Sequence, residues 1–297
     1  MTAGPQLDLA SHDPGRRVRG RAFYGLLLFS VAVGFVTLGA LLVDVFSRAI
    51  NWTGATVDLV LLLEPPSADP ALAGARPAIL ATIYIGVLLL LFTVPIGVGT
   101  AIYLEEYANK ERWYSRLLEV NIQNLAAVPS IVYGILGLAF LVRGLGLGRV
   151  LLAGAMILTL LVLPTVIIAA REAIRAVPGS IRQGAYALGA TQWQVIWRQV
   201  LPAAAPGIAT GTILALSRGL GETAPLLLVG ALTYVSFNPT LLGDFTALPI
   251  QIYQWISRPQ EEFRGPLAAA GIVVLLAILL SLNAVAVSVR NRYQRRW

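Results

Sequence analysis

Two charged residues, Arg218 and Glu222, stand inside an otherwise apolar stretch of this 297-residue chain. They are four residues apart, so a helix would place them on one face. An arginine near the middle of a membrane costs about 2.5–3.5 kcal/mol on insertion scales and marks a candidate functional site. The planar array of N–H donors on its guanidinium matches the geometry of phosphate. The pair therefore predicts either an anion gate, in which Glu222 holds Arg218 until the anion enters, or a self-neutralising pair that joins two helices.

A second apolar stretch contains three polar residues, Asn124, Ser130 and Tyr133. Such groups at membrane depth either line a solute path or form interhelical hydrogen bonds worth about 0.6 kcal/mol each. The sequence leaves both interpretations open.

The chain has no cysteine and a single histidine, His12, in a polar N-terminal stretch. It offers no thiolate ligands, no histidine pair for a metal and no cysteine nucleophile. Its one lysine, Lys110, follows Asn109, whereas a phosphate-binding P-loop needs glycine immediately before the lysine. The sequence therefore predicts no catalytic residue, no metal site, no cofactor and no nucleotide site.

The composition is that of a membrane protein. The mean hydropathy is +0.75 and only 12% of the residues are charged, against about 25% in soluble domains. Six uncharged runs approach or exceed the roughly 20 residues that cross a bilayer. We place spans near 22–45, 78–104, 119–142, 150–170, 203–230 and 266–289, the fifth with a break at Gly219, Gly221 or Pro225. Because spanning helices satisfy their own backbone, the sequence predicts an all-α integral membrane protein with six transmembrane helices.

Most of the 22 basic residues fall in the N-terminal tail, in the loops after the second and fourth spans, and at the C-terminus. The positive-inside rule then places both termini in the cytoplasm. The resulting organisation is a cytoplasmic tail (1–21), a first transmembrane helix (22–45), an extracytoplasmic segment (46–77), a core (78–290) and a cytoplasmic C-terminal tail (291–297). Because the basic residues are divided among short segments, nucleic-acid binding is not indicated.

The longest cytoplasmic loop, residues 171–201, has the start and stop signals of two short helices. Ser180 with Gln183 and Thr191 with Gln194 match the capping-box pattern, Gly189 suits a helix end, and Pro202 should end the second helix. Two apolar stripes follow helical spacing, one of Ile181, Ala185 and Leu188 and one of Trp193, Ile196, Trp197 and Val200. The stripes indicate either a partner surface or aromatic anchors at the membrane interface.

This loop resembles a known motif. The stretch 184–191 (GAYALGAT), followed by Leu201-Pro202, is similar to the EAA loop of ABC importer permeases. Residues 121–134, 171–178 and 217–225 look like the phosphate-transport permeases, and residues 257–263 (SRPQEEF) look like their PstA-type member. The resemblance implies a type I ABC importer permease (MetI-like) fold in the plasma (inner) membrane of a bacterium.

The resemblance also implies a function and partners. The loop would be a coupling helix seated in an ATPase, through Gln183, Ala185, Leu188, Gly189, Ala190 and Thr191. Gln183-Gly184 replaces the leading Glu-Ala of the motif, so an acidic contact is missing there. The expected partners are a PstC-type sister permease, a PstB-type ATPase dimer, a PstS-type phosphate-binding protein and phosphate itself. The chain would form half of the path and would hydrolyse no ATP. Alternatives are a permease for another oxyanion and a self-contained channel or secondary transporter.

Overall fold

The computed structural model describes residues 14–51, 59–109, 111–231 and 234–293. Most of this part of the chain is helical and it contains no β-strand, which confirms the all-α prediction. His12, Lys110, Arg295, Arg296 and residues 52–58 of the expected outer segment lie outside the described residues.

The α-helices follow one another along the chain with few long connections. They are α1 (Pro14–Asn51), α2 (Leu59–Leu63), α3 (Arg76–Ile102), α4 (Trp113–Ala126), α5 (Ser130–Gly137), α6 (Leu151–Arg175), α7 (Gly179–Ala187), α8 (Gln192–Val195), α9 (Leu201–Gly221), α10 (Ala224–Val229), α11 (Leu248–Ile256) and α12 (Ala268–Tyr293). A short 3-10 turn covers Pro70–Leu72. π-Helical turns extend α3 (Tyr103–Tyr107) and α5 (Leu138–Gly144), join α8 to α9 (Ile196–Val200) and precede α12 (Phe263–Leu267).

Five continuous helical stretches of the described chain are long and apolar enough to cross a membrane. They run from 25 to 32 residues, more than the roughly 20 that a span requires. They are Arg19–Ile50, Arg76–Tyr107, Leu151–Arg175, Gln192–Gly221 and Phe263–Arg292. The expected total of six is reached when α4 and α5 together count as one broken span.

The span expected near 119–142 is broken into two helices. The α4 and α5 helices, extended by its π-turn to Gly144, are bent by 104° at Ala127–Pro129. Pro129 has no amide hydrogen, and it disfavours helical backbone at the residue before it. We call the break at residues 127–129 the elbow.

The chain divides into two compact units, 1–47 and 48–297. The described part of the first unit is most of α1. Its apolar side chains, such as Phe29 and Phe35, are about 70% exposed. A helix that is apolar all round suits a lipid environment.

The core of the second unit lies where α3, α6 and α9 pack together. Ile85 and Leu89 of α3, Ile157 of α6 and Leu220 of α9 are almost completely buried there. Glycine allows the close approach of α9 to α6, because a Cβ at Gly211 would collide with the methyl group of Ala169. The small residues thus set the spacing of the helices, as is common in membranes.

The fifth span is interrupted, as the glycines and Pro225 predicted. The α9 helix ends at Gly221 and α10 begins at Ala224. Between them Glu222 has extended backbone (φ −77°, ψ 127°). The span expected over 203–230 is therefore a helix followed by a separate short helix.

Three expectations for the loop need correction. Arg171 lies inside α6, so the loop begins after Arg175. Ser180 caps nothing: α7 begins at Gly179, and the Ile181 amide already bonds to the Pro178 carbonyl. The second short helix does not end before Pro202.

The chain instead continues from α8 into α9 through a π-turn. The Leu201 amide donates to the carbonyl of Ile196, five residues back. Pro202 then occupies the first turn of α9, where its missing N–H has little cost. The second half of the loop is therefore the inner end of the fifth span.

Candidate functional site: two helix breaks and the loop after α6

The two helix breaks lie close to each other. The backbone of Gly134 in α5 packs on α10, so closely that an added Cβ would be 2.8 Å from the Cα of Pro225. Irregular backbone at membrane depth is tolerated only where protein buries it or where it lines a water-filled cavity, and broken helices mark substrate sites in many transporters. The residues around both breaks are therefore the candidate translocation site.

Tyr133 stabilises the elbow. In a continuous helix the Leu125 carbonyl would accept a hydrogen bond from residue 129, but Pro129 has no hydrogen to donate. The Tyr133 hydroxyl donates to that carbonyl at 2.8 Å, and the Tyr133 side chain is only 7% exposed. This bond links the two halves of the same broken span.

Arg218 and Glu222 do meet, although not on one helix. Arg218 is in the last turn of α9, whereas Glu222 is already outside it. The Arg218 Nε and the Glu222 Oε1 are 3.7 Å apart, and their side chains are 49% and 23% exposed. The pair is thus a loose ion pair beyond hydrogen-bond distance. Within the described residues the Arg218 guanidinium makes no hydrogen bond, so its donors remain open to a ligand.

Asn124 and Ser130 flank the elbow on either side. Asn124 is exposed near the end of α4, and Ser130 is half-buried at the start of α5. Their carboxamide and hydroxyl groups make no hydrogen bond to the rest of the described chain, so they are not the expected interhelical links. Both groups can interact with a solute at the elbow.

Metal chemistry finds no support in this geometry. Over the ranges that the structure describes, no three carboxylate or imidazole side chains come together in a group that could hold a metal ion.

The loop turns at Gly189 as the sequence predicts. Gly189 has φ +82°, its amide donates to the Tyr186 carbonyl, and the Ala190 amide donates to the Ala185 carbonyl. These are the two bonds of a Schellman motif. The capping box of Thr191 and Gln194 is also present, with both reciprocal bonds formed.

The two apolar stripes of the loop are each divided between core and surface. Ile181, Ala185 and Ala190 pack against a buried cluster at the inner ends of α6 and α9. Leu188, expected on the same face as Ile181, is 90% exposed. Gln183 and Thr191 are also exposed.

In the second stripe Ile196 and Val200 are fully buried. Trp193 and Trp197 are each 59% exposed and stack on one another with ring centroids 5.5 Å apart. The two i, i+4 pairs, Trp193 with Trp197 and Ile196 with Val200, therefore lie on different faces of the helix. Leu188 and the two tryptophans form the exposed apolar surface of the loop.

Sequence reasoning missed a cluster of buried ion pairs beneath the loop. Glu105 and Glu106, at the inner end of α3, bind arginines of α6 and α7. The available signal was the adjacent pair of acidic residues at the end of a span, opposite a loop rich in arginine.

Comparison with known proteins first defines the class. Residues 93–296 match the family model of the binding-protein-dependent transport system inner membrane component. The fold resembles a bacterial ABC transporter that imports the acidic polysaccharide alginate, with a TM-score of 0.66 over 93% of this chain and 97% of that one. It also resembles the inward-facing MetNI methionine ABC transporter, with a TM-score of 0.59 over 75% of this chain and 95% of that one. Both are 18% identical to this chain in sequence, so the similarity shows the fold alone.

Sequence relatives then define the particular type. The phosphate transport system permease protein PstA of Yersinia pestis is 32% identical over 91% of this chain and 90% of its own length. PstA 1 of Mycobacterium tuberculosis is 36% identical over 68% of this chain, which spans 66% of that protein. The chain belongs to the binding-protein-dependent transport system inner membrane components, as a PstA-type permease. Members of this family are inner membrane components of their transport systems.

Proposed function

We propose that this chain is the permease subunit of an ATP-driven importer of inorganic phosphate and forms one half of its translocation pathway. The observation that carries the proposal is the half-exposed guanidinium of Arg218 beside the break that ends α9. It occurs in a chain that aligns over 91% of its length with a phosphate transport permease.

Arg218 is the residue that meets the anion. Its open donors match the oxygen atoms of phosphate. Its contact with Glu222, at 3.7 Å, is long enough to be replaced easily by a contact with a closer ligand. Glu222 partly neutralises Arg218 when the path is empty and releases it when phosphate enters. Asn124, Ser130 and Tyr133 line the path at the elbow.

The loop around Gly189 is the element through which ATP acts. Exposed Leu188 and Gln183, the turn at Gly189 and the adjacent Thr191 present a docking surface on the same face of the protein. Ala185 and Ala190 support this surface from beneath. Closure of a PstB-type ATPase dimer moves the loop, and the spans respond by opening the path to one side and then to the other.

The remaining partners follow from the same assignment. A PstC-type sister permease supplies the second half of the path, and a PstS-type protein delivers phosphate from outside the cell. The chain lies in the bacterial inner membrane with both termini in the cytoplasm, because the basic residues are concentrated on that side.

A permease for another oxyanion is the second candidate, since a guanidinium fork also suits sulfate. The test is uptake of radiolabelled phosphate by proteoliposomes that contain the two permeases, the ATPase dimer and the phosphate-loaded binding protein. We expect ATP-dependent uptake that excess unlabelled phosphate abolishes and excess sulfate leaves unchanged. Uptake that sulfate suppresses as strongly as phosphate does would reject phosphate as the specific substrate.

A further inference from the structure

Two neighbouring carboxylates at the inner end of α3 are buried and have different partners. Glu105 and Glu106 lie in the π-turn that follows α3, with side chains that are 4% and 9% exposed. Burying a carboxylate is costly unless charged hydrogen-bond donors compensate for the lost water. Each carboxylate is therefore held by arginine, and the two sets of arginines connect different parts of the molecule.

Glu105 connects the spans to each other. Its Oε1 accepts from the Nε and Nη2 of Arg171 at 3.1 and 3.0 Å, and from the Nη2 of Arg175 at 2.7 Å. Arg171 also binds Glu119 of α4 at 3.0 Å. None of these groups belongs to the loop that follows α6.

Glu106 instead connects α3 to both helices of the loop. Its Oε1 accepts from the Nε and Nη2 of Arg182, in α7, at 3.2 and 2.9 Å. Its backbone carbonyl accepts from the Nε2 of Gln192, in α8, at 2.6 Å. One residue at the end of a span thus holds the loop on both sides of Gly189.

Arg182 makes a second attachment, to α6. Its Nη2 donates to the carbonyl of Ile174 at 2.9 Å, and its Nη1 donates to the carbonyl of Val177 at 2.6 Å. Ile174 is in the last turn of α6, and Val177 follows the end of that helix by two residues. A single guanidinium therefore joins α7 to the inner ends of two spans.

The two spans that Arg182 reaches form a tight pair. At Gly97 of α3 an added Cβ would be 2.8 Å from a methyl group of Val166 in α6. Closely packed helices of this kind move together as a rigid body. The apolar contacts of Ile181 and Ala185 have no preferred direction, whereas the two charge-assisted hydrogen bonds from Arg182 to one oxygen of Glu106 constrain the position of the guanidinium.

We propose that Glu106 and Arg182 are positioning residues for energy coupling, and that their ion pair transfers the displacement of α7 to α3 and α6. This inference rests on the proposed function, because it requires that ATPases move the loop. A buried ion pair is weak evidence for a stabilising role, since apolar residues can replace such pairs without loss of stability. Its fixed geometry is what a transmission element requires.

The test uses the complete reconstituted importer with Arg182→Gln, Glu106→Gln and the double variant. Phosphate uptake and ATP hydrolysis are measured in the same vesicles. We expect assembled complexes in which hydrolysis continues and phosphate moved per ATP falls about tenfold, in the range of typical coupling between sites. The double variant should be no worse than Arg182→Gln alone, because that single change already removes the ion pair together with the bonds to Ile174 and Val177.

Arg116→Gln is the matched control. Arg116 is an exposed arginine of α4, and its loss changes the net charge as Arg182→Gln does. We expect wild-type transport per ATP from this variant. An equal loss in Arg116→Gln would show that charge alone is responsible and would overturn the proposal.

Two further results would also overturn it. One is transport per ATP within twofold of wild type in assembled Arg182→Gln and Glu106→Gln complexes. The other is loss of assembly in both variants, which would assign the pair to folding. Failure of the wild-type complex to take up phosphate would instead reject the proposed function, so the two failures are distinguishable.

Discussion

At the scale of single residues, the sequence predicts the unusual charges but not their geometry. The i, i+4 spacing of Arg218 and Glu222 brings the two side chains together, as expected. Glu222 nevertheless lies past the helix end, because the chain between Gly221 and Pro225 leaves the helical path. The looser pair that results leaves the guanidinium half exposed, which a tight helical pair would not.

Replacing Arg218 by alanine should remove the anion contact. A hydrogen bond to a charged group contributes about 1.5–3 kcal/mol, so uptake should fall by about ten- to a hundredfold. Labelled-phosphate uptake in assembled complexes measures this, with Arg116→Ala as the control.

Glu222→Gln should keep the path but lose the gate and show phosphate leakage without ATP. Wild-type transport in both Arg218→Ala and Glu222→Gln would contradict the gate.

Tyr133→Phe should weaken the elbow. The change deletes the only hydroxyl that bonds to the Leu125 carbonyl at 2.8 Å among the described residues. The Leu125 carbonyl keeps its bond from the Val128 amide at 3.1 Å, so the change removes one hydrogen bond, worth about 0.5–1.5 kcal/mol, and the thermal unfolding midpoint should fall. Tyr103→Phe is the control, because Tyr103 is 47% exposed and its hydroxyl bonds to nothing else in the described chain. Equal midpoints for the two variants would argue against this role of Tyr133.

At the scale of elements, five of the spans follow directly from uncharged runs of sufficient length. The elbow and the Pro202 junction do not, because the same residue type acts in opposite ways. Pro129 breaks a helix, whereas Pro202 lies in the first turn of one. The difference depends on hydrogen bonds from distant groups and on a π-turn, and neither leaves a periodic trace in the sequence.

Gly211→Ala should destabilise the contact between α6 and α9. The new methyl group would collide with that of Ala169, and cores respond to one added carbon with a cost of about 1–3 kcal/mol. Gly99→Ala in α3 is the matched control, because nothing lies within 4 Å of its added Cβ. Alanine is the better helix former by about 1 kcal/mol, so the control should be neutral or stabilising. Thermal unfolding of the two variants measures the difference in their stability. Equal unfolding midpoints for Gly211→Ala and Gly99→Ala would contradict the packing argument.

Gly189→Ala should impair coupling while sparing the fold. The φ of +82° costs an L-residue about 1–2 kcal/mol, so the Schellman turn should rearrange and displace Leu188. Uptake per ATP should fall, with the protein still assembled. Gly184→Ala in α7 adds the same methyl group in open space and should leave transport unchanged. A Gly189→Ala complex with normal transport would show that the turn geometry is dispensable.

At the scale of the whole molecule, composition and motifs predict the membrane class and the family, and both are confirmed. The ion pairs beneath the loop could not be predicted from the sequence, because Glu105 and Glu106 are 66 to 76 residues from their arginines. Pairing at that distance depends on how α3 packs on α6, and charge counts assign only the side of the membrane. The sequence thus predicts which surface contacts the ATPases, while the connection from that surface to the spans required the structure.

The central claim is that this chain hydrolyses nothing and is moved by ATPases bound at its loop. The most direct measurement compares phosphate flux in vesicles that hold the complete importer, the two permeases without ATPases, or this chain alone. The account predicts concentrative uptake only with the complete importer and ATP. Full-rate flux through the isolated chain would contradict it.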